Sequence, residues 1–341
     1  MHKGRILHIT LITVFSRYGR RLSAATRGAI CHLPAFLLFA CTPFAQPEET
    51  APMMRKSQIY ILQSGNATLQ GVDLLFFQDE PLQRLDAYQH LDGVSGNRVT
   101  GTSSTAARTV VILSNYPTGT YPWSSLRSYE SLVDLPFRLE DENPAAPQLY
   151  GISDAGKMDR VVLRPMLSKI TLRSIGCDFS GRPYAGERLQ DVRAYLTYAS
   201  QECRPFASDD VPTSWLNAGH LDETATAALA HPETVLADLS PSLGGRIRPA
   251  VSFYCYPNPS DGTTFGSPVT RLVIEGKLRG ITYYYPIDLP GLRPDVQYRM
   301  DVTLTRAGTT DPDTPAVFGS IRIESRVLDW DGREWEDIHY L

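Results

Sequence analysis

The chain has 341 residues, enough for two folded domains of ordinary size once a leader is set aside. Apolar residues make up 42% and charged residues 21%, close to the average of globular proteins, so the composition excludes wholesale disorder. The first 40 residues hold six lysines and arginines and no acid, which leaves 27 basic and 37 acidic residues beyond them. That excess of acid excludes a nucleic-acid partner, because phosphates require a basic face.

Residues 1–40 have the three-part order of a secretion signal. A basic stretch ends at Arg27, and an apolar run extends from Ala29 to Ala40, directly before Cys41. The run is too short to span a bilayer as a helix, which needs about 20 apolar residues. A small residue before a cysteine resembles the lipobox of bacterial lipoproteins, so we expect Cys41 to be acylated. The alternative is a chance cysteine behind an ordinary signal.

Residues 41–56 are predicted to form a tether, because they contain three prolines and two glutamates and show no alternating pattern. Folding is predicted to begin at residue 57. Three cysteines lie beyond the tether, at Cys177, Cys203 and Cys255, without the CxxC or Cys/His spacing of a zinc site. They indicate free thiols or one disulfide and no metal.

A first domain is predicted over residues 57–160. Short apolar runs that partly alternate predict strands at 58–62, 71–77 and 108–114. Between Ser124 and Leu135, apolar residues at helical spacing follow a serine cap and predict one short helix.

A second domain is predicted over residues 161–341, after a polar, glycine-containing break at 154–160. Its short strands recur at regular spacing, whereas 203–250 is irregular, with one helical turn predicted at 223–229. The fold class is therefore mainly all-β, with two tandem antiparallel β-sandwich domains and one or two short helices. The predicted strands of this half are 160–163, 165–175, 192–198, 251–256, 270–275, 281–287, 297–305 and 320–327.

No pattern in the chain indicates catalysis. There is no G-x-S-x-G motif and no glycine-rich loop between a strand and a helix, and the histidines His90, His220, His231 and His339 are scattered. Residues 329–332 lack the spaced oxygens and the closing glutamate of a calcium loop, so they predict a turn. The sequence therefore predicts no catalytic residue, no metal and no cofactor.

The order of these segments resembles the fimbrillins of Bacteroidales, which are subunits of the type V pilus. The resemblance covers most of residues 58–330 and depends on order and spacing, since each motif is degenerate. The chain departs from the family's frequent Arg-Asn before Tyr298, where it has Arg293, Pro294 and Asp295. The segments that carry the resemblance are 72–77, 110–117, the helix with Leu132, 148–151, 163–170, 271–276, 284–287, 298–305 with 307–308, and 321–330.

The resemblance implies a lipoprotein precursor with two transthyretin-like domains, carried to the outer membrane and exposed on the cell surface or built into the fimbrium. It implies assembly with other fimbrial subunits by donor-strand exchange, with adhesion to host or bacterial surfaces as the outcome. In stalk members an Arg-specific protease removes an N-terminal strand, and Arg55, beside Lys56, is the candidate processing site here. The proline-rich tether is a poor strand, so an accessory, tip or anchor subunit is expected.

Two other classes of function remain open on the sequence. A glycan-binding surface lipoprotein of a polysaccharide-uptake system is also built from tandem β-domains, and its sugars could stack on Trp123, Trp215, Trp330 or Trp335. An exposed, coplanar aromatic pair would favour that alternative, whereas an open groove beside a terminal strand would favour pilus assembly. An exported hydrolase would need a catalytic cluster that the sequence does not display.

Overall fold

The computed structural model describes residues 53–63, 69–79, 81–94, 96–208, 210–264 and 266–333. Strands dominate this part of the chain, with only two short α-helices, which confirms the mainly all-β prediction. The leader and Cys41 lie outside the described residues, so the predictions made for them stay predictions.

Strands up to residue 165 build one sheet of seven strands, ordered β3-β2-β5-β7-β8-β1-β4. All neighbours are antiparallel except β1 and β8, which run parallel. The short β6 pairs elsewhere. The strands of this part are β1 (Met54–Gln63), β2 (Gly71–Gln78), β3 (Leu85–Asp92), β4 (Arg98–Ser104), β5 (Ala107–Ser114), β6 (Phe137–Arg138), β7 (Leu149–Ile152) and β8 (Arg160–Pro165).

The first sheet encloses its own hydrophobic core. Strands β1, β2 and β5 contribute fully buried side chains such as Ile59, Leu74 and Ile112. Gly101 in β4 lies so close to Phe76 that an added Cβ would overlap the ring. A side chain at that position would therefore push the edge strand away from the core.

Later strands form two sheets of four strands, ordered β14-β10-β16-β17 and β15-β9-β18-β19. Their inward side chains share one core, as in a sandwich. Strands of only two residues each pair some of the connecting segments with one another. The strands are β9 (Ser168–Cys177), β10 (Leu189–Thr197), β11 (Ala199–Ser200), β12 (Glu202–Cys203), β13 (Trp215–Leu216), β14 (Leu236–Leu243), β15 (Val251–Cys255), β16 (Arg271–Leu278), β17 (Ile281–Asp288), β18 (Val296–Leu304) and β19 (Ile321–Asp329).

The change from the first sheet to the later sheets falls between Pro165 and Ser168. Residue 160, where the sequence places the domain boundary, is the first residue of β8, which pairs with β1 and β7 of the first sheet. The division into two domains stays a prediction. One core cluster joins side chains from both parts, among them Leu75 and Phe77 with Ile170 and Phe253.

Two α-helices are present among the described residues, α1 (Tyr129–Val133) and α2 (Glu223–Ala227). Helix α1 is shorter than the predicted 124–135, because its cap is Ser128, whose hydroxyl accepts from the N–H of Ser131 at 3.3 Å. The residues before it form a 3-10 turn at Trp123–Ser125. No helix in the described ranges is long and apolar enough to span a membrane.

Four strands of four or more residues were not predicted from the sequence, namely β3, β4, β7 and β14. Strands β3 and β14 are mostly half-buried or exposed, β4 buries chiefly glycine and serine, and β7 has only four residues, so none of them shows a clear apolar run. Strand β1, by contrast, starts earlier than predicted, since Met54 to Lys56 already pair with β4. Residues 54–56 of the segment predicted to be tether therefore belong to a strand.

Candidate assembly edge

The last strand of the described chain, β19, lies at the border of its sheet. It pairs with β18 in an unbroken antiparallel register from Val296 opposite Asp329 to Leu304 opposite Ile321. Within the described ranges no strand pairs with its other side. We call this free side of Ile321–Asp329 the assembly edge, because an unpaired strand edge offers a full row of backbone donors and acceptors.

The backbone groups on the assembly edge can be assigned from one hydrogen bond. The N–H of Thr305 donates to the carbonyl of Ser320 at 2.8 Å, so even-numbered residues direct their N–H and C=O toward β18. Odd-numbered residues therefore direct theirs to the free side, where the N–H of Asp329 already donates to the carbonyl of Arg333 at 3.0 Å. Ser325, at the centre of the strand, is one of them.

The hydrophobic core is open beneath the assembly edge. Val302 of β18 is fully buried, yet Ile323, directly opposite it on the same face, is 40% exposed. Val327 is opposite Tyr298 and is 38% exposed. The facing sheet therefore does not cover the core-facing side of the last strand, and a further strand or side chain could bury it.

Charged side chains occupy the outer face of β19. Glu324 stands directly opposite Asp301 of β18, and Arg326 directly opposite Arg299. Asp301 already accepts from Arg173 on the far side, and the pKa of its carboxyl is lowered, chiefly by that hydrogen bond. These two cross-strand pairs have like charges, and the charge of Arg173 acts on both carboxylates of the first pair.

The corresponding border of the other four-stranded sheet is covered. Thr309, in the connection between β18 and β19, exchanges two backbone hydrogen bonds with Tyr284 of β17, at 2.8 and 2.9 Å. Farther along the connection, Asp313 accepts from the guanidinium of Arg271 at 2.7 Å. Phe318, near its end, is 95% exposed.

The candidate processing site Arg55 lies inside a folded strand. It is opposite Ser103 in the pairing of β1 with β4, and its guanidinium donates to the carbonyl of Ala107 at 3.2 Å. Cleavage after Arg55 would remove only the first two residues of β1. Processing there stays a prediction.

The structure does not bring the remaining polar candidates together into a reactive site. Cys177, Cys203 and Cys255 are free thiols, which settles the choice between thiols and a disulfide. Burial raises the pKa of Cys255 to about 12, so this thiol is unreactive at neutral pH. No group of histidine, cysteine and carboxylate side chains in the described ranges could hold a metal ion.

The three candidate histidines that the structure describes lie far apart from one another in the chain and have separate partners. His90 lies between the carboxylates of Asp73 and Asp92, at 2.8 and 3.0 Å. His231 contacts the neighbouring Glu233, and His220 is exposed. His339 lies outside the described residues.

The three tryptophans in the described part of the chain do not form the exposed, coplanar pair that would favour glycan binding. Trp123 stacks on Tyr121 with ring centroids 4.9 Å apart, but Trp123 is buried. Trp330 is half-buried and contacts Tyr254 at an angle of 49°. Trp215 is half-buried, and Trp335 lies outside the described part of the chain.

A buried carboxyl group that sequence reasoning missed lies between the first sheet and the later strands. Glu142 accepts from the Tyr256 hydroxyl and from the N–H of Gln148, both at 3.1 Å. Burial raises its pKa to about 8. Rings from both sides of the change of sheet surround it. We call this set the junction cluster; its members are Tyr116, Tyr121, Trp123, Phe137, Glu142 and Tyr256.

Solved structures share this architecture, although no protein-family model and no curated protein matches the sequence. A proposed cell adhesion protein from Bacteroides eggerthii is 20% identical, with a TM-score of 0.60, over 82% of this chain and 97% of that one. A fimbrilin from Porphyromonas gingivalis is 14% identical, with a TM-score of 0.59, over 82% and 98%.

A tip fimbrial protein from Porphyromonas gingivalis, truncated at its C-terminus, is 10% identical, with a TM-score of 0.50, over 82% of this chain and 100% of that one. Identities this low establish the fold and leave the function to be argued from the site. The structural relatives nevertheless agree with the family that the sequence segments indicate. The chain therefore has the fold of the Bacteroidales fimbrillins and of the adhesion proteins related to them in structure.

Proposed function

We propose that this chain is a structural fimbrial subunit without enzymatic activity, which joins other subunits by strand exchange at the cell surface. The observation that carries the proposal is the assembly edge. Within the described chain no strand pairs with it, the N–H of Asp329 alone being taken by Arg333, and Ile323 and Val327 leave the core open beneath it. A strand from another subunit would satisfy the backbone groups and cover the apolar side chains in one step.

The position of β1 favours an accessory, tip or anchor role over a stalk role. Strand β1 is an inner strand of the first sheet, between β8 and β4, and Ile59 and Ile61 are buried in its core. Trimming at Arg55 would leave both isoleucines in place and open no groove. We therefore propose that the chain keeps its N-terminal strand and reaches the outer membrane through acylated Cys41, with adhesion to host or bacterial surfaces as its contribution.

Isolation of fibres from cells, followed by mass spectrometry, tests membership of the fibre and the identity of the mature N-terminus. We expect Ser325→Pro and Ile323→Lys to lower recovery in the fibre at unchanged cellular amounts. The first removes a donor that faces the free side, and the second puts a charge on the open core. Arg322→Lys, on the opposite face, is the matched control. Unchanged recovery of both edge variants would refute the role of this edge.

Metabolic labelling with palmitate tests the anchor separately. Cys41→Ala should abolish the label and release uncleaved protein from the membrane fraction, because two acyl chains are needed for stable anchoring. Cys177→Ala controls for labelling at another thiol. Labelling of Cys41→Ala at the wild-type level would exclude this cysteine as the acylated residue.

A further inference from the structure

The chain reverses direction directly after β19. The N–H of Asp329 donates to the carbonyl of Arg333 at 3.0 Å, and the N–H of Gly332 donates to the carbonyl of Asp329 at 2.9 Å. Gly332 has a φ of +81°, in the left-handed region. These are the features of a three-residue hairpin loop, in which a type I turn is followed by a bulge glycine. Arg333 therefore holds the first position of a strand that runs back along the assembly edge.

Side chains fix this reversal. The N–H of Arg333 donates to the carboxylate of Asp329 at 2.7 Å. Trp330, the first residue of the loop, is half-buried against Tyr254 of β15, with ring centroids 6.0 Å apart. The ammonium group of Lys169 in β9 lies 5.6 Å from the centre of the same ring. Contacts with two other strands of the sheet thus set the direction in which the chain leaves Arg333.

We propose that residues 334–341 form a further strand, antiparallel to β19, which covers the assembly edge of their own chain. We call them the covering segment. Their role rests on the proposed function: the covering segment occupies the edge until the strand of another subunit replaces it. An edge covered in this way cannot pair with unrelated strands, which protects the chain before assembly.

The hairpin loop determines the register of the covering segment. Because Arg333 is opposite Asp329, each step back along β19 is matched by one step forward along residues 334–341. The covering segment therefore extends from Leu328 to Ile321 and is long enough for the whole assembly edge. Odd-numbered residues of β19 direct their N–H and C=O to the free side, where they meet the odd-numbered residues of the covering segment.

The outer face of this pairing brings opposite charges together. Glu336 lies opposite Arg326, whose neighbour on the other side is Arg299 of β18. Arg326 has a further interaction, and its five donors can serve more than one acceptor. Tyr340 lies opposite Arg322, so that its ring can pack against the guanidinium. The covering segment thus adds a favourable charge pair beside the like-charged one.

The core-facing side pairs apolar side chains at both ends of the covering segment. Trp335 covers Val327, which is 38% exposed, and Leu341 covers Ile321. A shift of the register by one residue would turn Trp335 and Leu341 away from the core, so burial favours the register that the loop sets. The four pairs on this face are Trp335 with Val327, Asp337 with Ser325, His339 with Ile323, and Leu341 with Ile321.

Disulfide trapping in the full chain tests this register. Ser325→Cys and Asp337→Cys, introduced together, form a cross-strand pair with Cα atoms about 5.5 Å apart, within the range of a disulfide. Ser325→Cys with Glu334→Cys is the matched control, because Glu334 lies three positions away along the strands, about 10 Å, although it is nearer in the chain.

Mass spectrometry of the monomeric chain, after mild oxidation and blocking of free thiols, measures both links. We expect the 325–337 link at least about fivefold more often than the 325–334 link. Equal yields of the two links would show that residues 334–341 have no fixed register on β19 and would overturn the proposal. Disulfides confined to dimers would assign the assembly edge to a second copy of the chain and would overturn it as well.

Charge exchange tests the ion pair on the outer face. In the background of the 325–337 cysteine pair, Glu336→Arg should lower the disulfide yield at least about threefold, because it places Arg opposite Arg326. Adding Arg326→Glu should restore the yield, and within one chain this change also replaces a like-charged contact with Arg299 by a favourable one. A double variant that cross-links as poorly as the single variant would show that the two side chains do not meet.

The covering segment and the proposed function fail separately. Fibres that contain the chain, together with no 325–337 disulfide, would overturn the covering segment and leave the fimbrial role intact. A 325–337 disulfide, together with fibres that never contain the chain, would support the covering segment and refute the fimbrial role.

Recovery of the cysteine pair in fibres tests whether another strand replaces the covering segment. The oxidised chain, whose edge is locked, should be depleted from fibres, and reduction before assembly should restore its recovery. Equal recovery of the oxidised and reduced chains would show that no subunit strand replaces the covering segment, and would overturn its role in assembly.

Discussion

The junction cluster and the assembly edge present apolar and charged side chains in opposite ways. In the junction cluster, Phe137 and Glu142 are buried by rings from both sides of the change of sheet. At the assembly edge, Ile323 is 40% exposed and Glu324 faces a like charge. Changes in the junction cluster should therefore alter the stability of the fold, whereas changes at the assembly edge should alter association and leave stability nearly constant.

Replacement of the buried Phe137 and of the exposed Phe318 should give the largest difference in the free energy of unfolding. Phe137→Ala should lower the free energy of unfolding by about 3–5 kcal/mol, because a fully buried ring leaves a cavity among Tyr116 and Trp123. Phe318→Ala should change it by less than about 0.5 kcal/mol, since Phe318 is 95% exposed. Urea unfolding measures both. Similar losses for the two variants would break the comparison.

Glu142 should make the junction cluster sensitive to alkali. Its pKa is raised from 4.5 to about 8 in the fold, so the folded state holds the proton more tightly than the unfolded chain. Stability is then full below about pH 4.5 and falls as the pH rises toward 8, by a few kcal/mol at most.

Glu142→Gln should remove this loss, because the amide cannot ionise. Glu140→Gln, which replaces an exposed neighbour, should keep it. Unfolding midpoints measured from pH 5 to pH 8.5 check both expectations. A wild-type profile that is flat, or that rises over this range, would contradict the protonated state of Glu142.

Val302 and Ile323, which lie opposite each other in β18 and β19, test the same contrast between a buried and a partly exposed side chain. Val302→Ala should cost about 1–3 kcal/mol, because Val302 is fully buried in β18. Ile323→Ala, directly opposite in β19, removes more atoms but should cost less than about 1 kcal/mol, since its side chain remains partly in water. Thermal unfolding at low protein concentration separates this effect from association.

His90, in the border strand β3, gives the smallest expected effect. It tests whether the carboxylates of Asp73 and Asp92 stabilise the protonated imidazole there. The hydrogen bond with Asp73 raises the pKa of His90, helped by Asp92. A raised pKa contributes stability below the unfolded value, about 6.5, and that contribution is lost as the pH rises through the folded value.

The contribution of His90 should stay below about 1 kcal/mol, because its side chain is 38% exposed. His90→Gln should remove it, and NMR titration of the imidazole measures the shift directly. A titration midpoint below 6.5 would contradict the role of Asp73 in holding the protonated ring.

The sequence predicted the strands that bury apolar side chains, and the structure confirms them. Buried apolar side chains follow one another closely, and are easily recognised in the sequence, in β2, β5, β10 and β16–β18. Strand β19 was predicted from alternation, because Ile321, Ile323 and Val327 share one face. Strands β3, β4, β7 and β14, which lack a clear apolar run, were missed, since backbone pairing needs no apolar pattern.

Sequence alone determined the β-rich class, the order of the buried strands and the acidic balance beyond residue 40, because burial and charge are local properties of residues. Tertiary structure alone decided that Arg55 lies inside a strand, that Glu142 is buried and that the last strand has a free side. Each of these depends on contacts between segments distant in the chain. Strand pairing, desolvation and an open core are properties of neighbours in space, and no spacing in the sequence encodes them.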